Sequence, residues 1–346
     1  MKQQAIRDIM SGKSRGAIPA VIRMAAAVAS GPYACAMRAR RWAYRAGLAR
    51  SKRAGVPVIC VGNITTGGTG KTPMVAWLVA QLKGMGRRPA VLTRGYKAIG
   101  GKSDEAELLK MLCGVPVIVN ADRVAGAREA VAAGADALVM DDGFQHCRLA
   151  RDLDIILIDA TNPFGYGRCL PRGMLREPLG AMREAGAVVI TRGDLISADE
   201  LRGARSRLAT LAPRASIHVA VHRPTSLRDA DGMAVDMRAI SSRVVFAFCG
   251  LGNPAAFFST LERMGATLAG TLALDDHAAY TAQVVERIRR EARVCGANVL
   301  VTTQKDFAKL AMTKMDLPLW QLAIEMEVVD GKEDLLARVR AALERR

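Results

Sequence analysis

"VGNITTGGTGKTPMVAWLV" occupies residues 61–79, and the segments on either side of its glycines decide how the chain is read. Upstream, "VPVICVGN" (residues 56–63) is a short β-branched run with the pattern of a buried parallel strand. Downstream, "PMVAWLVAQLKGMG" (residues 73–86) carries apolar residues at helical spacing and closes on glycine. A glycine-rich turn that joins a strand to a helix makes an anion site. Its backbone N–H groups and the helix N-terminus converge on phosphate, a lysine neutralises the β and γ phosphates, and a hydroxyl ligates magnesium. Gly67, Gly68 and Gly70, with Thr69 among them, allow close backbone approach; Lys71 is the lysine, Thr72 the hydroxyl, and Pro73 stands where a first helical turn tolerates a missing N–H. The strict pattern G-x-x-x-x-G-K-[ST] asks for glycine five residues before Gly70, where this chain has Thr65. That substitution removes none of the groups that touch phosphate.

Working outward, "RPAVLTRG", "VPVIVN", "ADALVMDDG", "LDIILIDA" and "AGAVVITRGD" read as strands, with "SDEAELLKMLCG" and "DRVAGAREAVAAG" as helices between them. Strands alternating with helices at this spacing imply an α/β fold with a doubly wound parallel sheet of the phosphate-loop NTPase type. Beyond Asp194, "SRVVFAFCGLGNPAAFFSTLERMG" and "ANVLVTTQKDFAKL" repeat the strand, loop and helix order, which predicts a second, smaller α/β domain. The expected division is a basic helical segment over residues 1–52, the phosphate-loop domain over 53–192 and the smaller domain over 193–346.

The 346 residues carry a net charge of +17, and the charge is uneven. Residues 1–55 hold twelve Lys and Arg against Asp8 alone, a local charge of +11. "AIPAVIRMAAAVASGPYACAMRARRWAYRAGLARSKR" interleaves small and apolar residues with arginines and places Trp42 and Tyr44 among them, the composition of a helix lying on an anionic membrane surface. Its longest uncharged run, residues 24–37, is interrupted by Gly31-Pro32 and is expected to be too short to cross a bilayer. A helical pair packed on the domain with a solvated basic face would show the same composition. No small-residue cleavage site follows a compact apolar core, so a signal peptide is not expected. The seven cysteines form no C-x-x-C pair, which argues against a zinc ribbon or a redox motif and suits a reducing cytosol.

"ALVMDDGFQH" puts Asp141 and Asp142 at the carboxyl end of an apolar strand, where open α/β sheets place their sites and where an acid can hold magnesium or its waters. Asp159 of "IILIDA" is a rival in the same kind of position. On pattern alone "SDEAELL" reads as a capped helix start, and "LDDHAAY" as a loop histidine.

Taken together and in order, "VPVICVGNITTGGTGKTP", "TRGY", "SDE", "DR", "DDGFQH", "DLDIILIDA", "LPRGMLREPL", "FCGLGNPAAF", "DDHAAY" and "TTQKD" resemble the tetraacyldisaccharide 4'-kinase family over nearly the whole chain. In that family the loop has the form T-x-G-G-[ST]-G-K-T, so Thr65 is its normal residue. The resemblance implies transfer of the ATP γ-phosphate, with Mg2+, to the 4' hydroxyl of a tetraacylated glucosamine disaccharide 1-phosphate, an anionic lipid, at the cytoplasmic face of the inner membrane. It implies Asp104 as the base with His277 as its partner, and Lys71 and Thr72 on the phosphates and Mg2+. Asp141, Asp142 and Gln145 would line the phosphate and metal site, with Glu177 in the metal shell. Tyr96 would cover the nucleotide, Arg123 and Arg176 would meet anionic substrate groups, and the smaller domain would complete the cleft. Local departures are Ala106 where a proline commonly follows "DE", and "LPRGMLREP" for the common "LPAGPLREP".

A switch ATPase of the partitioning or septum-positioning type is the alternative, since its loop also carries G-G-x-G-K-T. Those loops place a second lysine near their start, and Ile64, Thr65 and Thr66 offer none. A nucleic-acid binder would account for the charge but for neither the loop nor the acids, so no nucleic-acid partner is expected, and no obligate protein partner is implied.

Overall fold

The β-branched runs form strands buried at nearly every position, and the segments of helical period cover them. The computed structural model describes residues 2–95, 104–276, 278–310 and 313–344. Helices α1 (Lys2–Ser11) and α2 (Ala17–Arg45) come first. Next are β1 (Val58–Asn63), α3 (Lys71–Gly84), β2 (Pro89–Thr93), α4 (Asp104–Cys113), β3 (Val117–Val119), α5 (Arg123–Ala132), β4 (Ala137–Asp141), β5 (Leu153–Asp159), β6 (Ala187–Thr191), α6 (Ala198–Leu211) and β7 (Ser216–Arg228). The chain ends with β8 (Ala234–Val235), β9 (Val244–Cys249), α7 (Pro254–Arg263), β10 (Thr267–Ala273), α8 (Ala282–Val294), β11 (Val299–Thr303), α9 (Gln304–Leu310), β12 (Leu319–Asp330) and α10 (Lys332–Glu344).

Two compact units result. In the larger one, parallel strands run in the order β7-β6-β5-β1-β4-β2-β3, with β1 between β4 and β5. Because side chains alternate along a strand, Ile59 and Val61 meet Met74, Leu78 and Leu82 of α3 on one face. Val58 and Cys60 meet Val124 and Ala127 of α5 and Leu208 of α6 on the other. The sheet is thus doubly wound, and the strand order reverses at β1, which puts the loop after β1 at a switch point. In the smaller unit, parallel strands follow the order β10-β9-β11-β12, with one apolar layer on Val245, Ala247 and Val301 and a second on Phe246, Phe248 and Leu300.

The units divide inside β7, between Val221 and His222, rather than at 192/193. The chain also leaves the smaller unit at Glu325, and residues 326–346 return to the larger one. The cause is the apolar stripe of α10: Leu335, Val339, Ala342 and Leu343 fill the layer that holds Ile59 and Val61.

A second difference concerns α2. Gly31-Pro32 does not interrupt it, and the helix runs unbroken over 29 residues with Pro32 inside. Proline removes one helical hydrogen bond and crowds the carbonyl of the preceding turn, so the segment needs outside support. Ser30 Oγ lies within hydrogen-bond distance of the carbonyls of Ala26 (2.8 Å) and Cys169 (2.9 Å), which share its one proton, and the Tyr33 hydroxyl donates to the Arg176 carbonyl (2.8 Å). At about 1.5 Å per residue, the helix is long and apolar enough to cross a membrane by length and composition, contrary to the expectation from its uncharged run.

Candidate active site

The loop after β1 is held from both sides. Thr65 pairs with Leu175 as an isolated antiparallel bridge, the Thr66 N–H donates to the Met174 carbonyl (2.7 Å), and the Arg176 N–H donates to the Ile64 carbonyl (2.7 Å). Thr65 is buried and its methyl lies against Gly165. The position where the strict pattern has glycine is therefore a short strand-like rung to "MLR" of "LPRGMLREP", and a β-branched residue suits such a rung.

Past this rung the backbone turns. Gly67 has φ +118° and Gly70 φ +88°, values that favour glycine. Gly70 caps α3, so Lys71 and Thr72 begin the helix, whose first turn contains no acidic residue. The N–H groups and the positive end of α3 thus meet no competing carboxylate on that turn. Thr69 is fixed at both ends: its hydroxyl accepts from Asn63 Nδ2 (2.9 Å) and its carbonyl accepts from Thr191 Oγ1 (3.0 Å). The Gly68 carbonyl accepts from Arg192 Nη2 (2.8 Å), and Arg192 is paired with Asp159. Asp159 also accepts from Thr161, through the backbone N–H and the hydroxyl. The rival strand-end acid is thus engaged in orienting Arg192 and its own turn.

Asp141, at the end of β4, is buried; Thr93 Oγ1 from the end of β2 donates to one of its oxygens (3.3 Å), and the other has no hydrogen-bond partner among the described residues. Burial, and then the charge of Asp142, push the Asp141 carboxyl up to about 7 against the opposing pull of Lys71. Asp142 has φ +49° and receives both Arg176 Nη1 contacts at 2.8 Å, with Lys71 Nζ at 3.7 Å. Burial alone would raise its pKa, but Lys71 and Arg176 outweigh that and hold it below the usual carboxylate value. Adjacent acids are thus driven apart in acidity, one ionised and salt-bridged, the other poised near neutrality.

Arg123 opens α5 behind the Asp122 cap, donates to the Asn120 carbonyl (2.6 Å), and keeps a buried Nε that has no partner among the described residues. Burial lowers its pKa while Asp141 and Asp142 oppose the change. Lys71, Asp141, Asp142, Arg123 and Arg176 therefore form one electrostatic cluster. Asp104 is exposed at the first turn of α4, which also carries half-buried Glu105 and exposed Glu107. Tyr96 and His277 lie outside the described residues.

Gln145 and Glu177 make contacts that their motifs did not signal. The Gln145 side chain donates to the Asn63 carbonyl (2.8 Å), so it supports Asn63, and through it Thr69. Glu177 is buried against α2, where Arg41 Nε donates to its Oε2 at 2.6 Å. Its carboxylate is neutralised by that guanidinium, and among the described residues no group of three His, Cys, Asp or Glu could hold a metal ion. The sequence reading had no role for Asn63, Thr93, Arg192 or Arg41; the first three sit at strand ends beside quoted motifs, in "VGN", "LTRG" and "ITRGD", which was the available signal. In the smaller unit, Gly250 of "FCGLGNP", Asp276 and Ala278 of "DDHAAY", and "TTQKD" come together. Asp306 accepts from the Gly250 N–H (2.9 Å) and Thr303 Oγ1 (2.7 Å), Lys305 Nζ meets Asp276 (2.8 Å), and Lys309 Nζ donates to the Ala278 carbonyl (3.2 Å).

A doubly wound sheet with left-handed glycines at a helix N-terminus, a lysine on the first turn and a graded pair of strand-end acids defines a phosphate-loop phosphotransferase. Residues 22–344 match the family described as tetraacyldisaccharide-1-P 4'-kinase, and the chain belongs to that family. A tetraacyldisaccharide 4'-kinase of Anaeromyxobacter sp. (strain K) is 39% identical over 340 residues, covering 91% of this chain and 89% of the relative. That of Syntrophus aciditrophicus (strain SB) is 40% identical over 316 residues, covering 82% and 84%. Among solved structures, LpxK from Aquifex aeolicus in complex with ATP is similar, with TM-score 0.72 and 26% identity, covering 93% of this chain and 99% of that one.

Proposed function

We infer that this chain transfers the γ-phosphate of ATP to the 4' hydroxyl of a tetraacylated glucosamine disaccharide 1-phosphate, a step of lipid A biosynthesis. The observation that carries the reading is the cluster in which Lys71 and Arg176 flank Asp142 beside the left-handed turn that opens α3. Family membership supplies the substrate class.

In this reading the loop N–H groups from Gly67 to Thr72 hold the ATP phosphates, and Lys71 with Arg176 and Arg123 offsets charge spread over the transferring group and the anionic acceptor. The Asp141 oxygen that has no hydrogen-bond partner among the described residues and the Thr72 hydroxyl would hold a divalent cation, with Asp142, already clamped by Arg176 and Lys71, beside them. Magnesium, when bound there, neutralises charge on the β and γ phosphates. Glu177 is left out of that shell because Arg41 holds it. Asp104 takes the proton of the acceptor hydroxyl as its oxygen bonds to the γ-phosphorus and the bond to the ADP oxygen breaks. His277 is assigned as its partner and Tyr96 as the nucleotide cover by motif alone.

The exposed side of α2, with Ile18 (76% exposed), Val28 (74%), Met24 and Trp42, lies on the cytoplasmic face of the inner membrane. The acceptor, with four acyl chains, must stay in that membrane, so a peripheral seat brings the site to it.

Incubating the purified protein with γ-labelled ATP and the disaccharide tests the reading, and label is expected in the organic phase. Hydrolysis without transfer would favour the switch ATPase. An Asp104→Ala protein that phosphorylated the lipid at the wild-type rate would remove Asp104 as base.

A further inference from the structure

Four arginines crowd the end of α2, and three of them, Arg38, Arg40 and Arg45, are exposed, as a lipid-facing basic run requires. Arg41 is buried, at 7% exposure. Its guanidinium is shared by Glu177 and Glu184, donates to the Phe144 carbonyl (3.3 Å) and lies over the Phe144 ring at 4.2 Å. Phe144 belongs to the loop of Asp142, and Glu177 follows Arg176, the residue that clamps Asp142.

Arg41 shares one side of α2 with Ser30 and Tyr33, opposite the exposed Val21 and Val28, with exposed Ile18, Met24 and Trp42 flanking them. Ser30 meets the Cys169 carbonyl and accepts from the Arg172 N–H (3.0 Å), and Tyr33 holds the Arg176 carbonyl. The segment held in this way is the one whose Met174 carbonyl and Arg176 N–H staple the phosphate loop at Thr66 and Ile64. A continuous path therefore runs from the exposed side of α2, through its buried polar side, to both the phosphate loop and the acid pair.

We propose that Arg41 is a positioning residue: through Glu177 and Phe144 it ties the membrane-facing helix to the transfer site, so that seating α2 on lipid aligns Arg176 and Asp142 for catalysis. The proposal rests on the kinase and membrane readings above. Arg41 touches neither substrate in this role, and its planar fork, which serves two carboxylates and a ring at once, is not replaced by an ammonium.

The test compares the full-length wild type, Arg41→Lys, and the double variant Arg41→Gln with Glu177→Gln, which removes the buried Glu177 charge together with Arg41 and leaves only the partly exposed Glu184 without that guanidinium. Each is assayed with the disaccharide in phosphatidylglycerol–phosphatidylethanolamine vesicles and in neutral detergent micelles, with vesicle sedimentation and ATP KM measured alongside. The wild type is expected to turn over faster in vesicles. The double variant is expected to sediment normally and keep its ATP KM within about twofold while kcat in vesicles falls about tenfold and the vesicle advantage disappears; Arg41→Lys should fall between. A double variant with wild-type kcat and vesicle advantage overturns the proposal, as does a kcat loss that merely follows lost sedimentation. If the double variant does not fold, Arg41→Lys decides by the same measurements. A wild type that transfers no label to lipid defeats the kinase reading instead, and one that fails to sediment defeats the membrane reading.

Discussion

At the scale of single residues, what marks this loop is the threonine that departs from the strict glycine pattern. Thr65 is a rung between the phosphate loop and Leu175, so replacing it by glycine adds backbone freedom, costing about 0.5–1 kcal/mol, and removes a buried methyl worth roughly 0.8 kcal/mol. Thr65→Gly is expected to lower stability by about 1–2 kcal/mol in urea titration and to raise the ATP KM several-fold, with kcat little changed. His146 gives a second test. Burial first, and then Arg123, Arg148, Arg40 and Arg151, push its pKa down to about 4 from the ordinary 6.5. The unfolded chain therefore takes up this proton first as the pH falls. The stability that neutral His146 contributes is complete above about pH 6.5 and is lost toward pH 4. His146→Gln should flatten that part of the stability profile by on the order of 1 kcal/mol, after discounting for partial exposure. An unchanged slope would remove His146 from the account. Lys71, Asp141 and Asp142 were legible from the sequence because phosphate chemistry requires those residue types beside a strand-to-helix turn. Arg41 was not, because its role depends on a partner far along the chain, at Glu177.

At the scale of elements, the strands and the helix after the loop were legible because their periods are local properties of the chain. The continuity of α2 was not: Gly31-Pro32 is a strong local stop, and the contacts that override it come from Cys169 and Arg176, tertiary partners that no window around Pro32 contains. If docking carries the helix past its proline, then Pro32→Ala should stabilise α2 by restoring one backbone hydrogen bond and relieving the ring's crowding of the preceding turn, a gain of up to about 3 kcal/mol. Ser30→Ala with Tyr33→Phe, which removes the outside support, should instead expose the Gly31-Pro32 region to protease. Limited proteolysis followed by mass spectrometry distinguishes the two, and equal resistance in both variants would mean that α2 needs no support from the 169–177 segment.

At the scale of the whole molecule, the two-unit plan was visible in the change of motifs after Asp194, but the place of the final helix was not. A C-terminal amphipathic helix fits either unit by pattern alone, and only the uncovered stripe over Ile59 and Val61 decides between them. That assignment has a thermodynamic consequence. Leu335, Val339 and Leu343 are buried in the same layer as the strand that leads into the phosphate loop. At about 1.5–3 kcal/mol for each such side chain, removing residues 331–346 withdraws an amount comparable with the 5–15 kcal/mol total stability of an ordinary protein. The truncated protein is therefore expected to lose cooperative unfolding of the larger unit and, with it, ATP binding. Among the described residues, the apolar clusters of the smaller unit, residues 222–325, include no side chain of α10. Hydrogen exchange should accordingly show lost protection in β1 and β5 with protection kept in β9 and β11, and uniform loss across both would mean that α10 stabilises the chain as one cooperative unit.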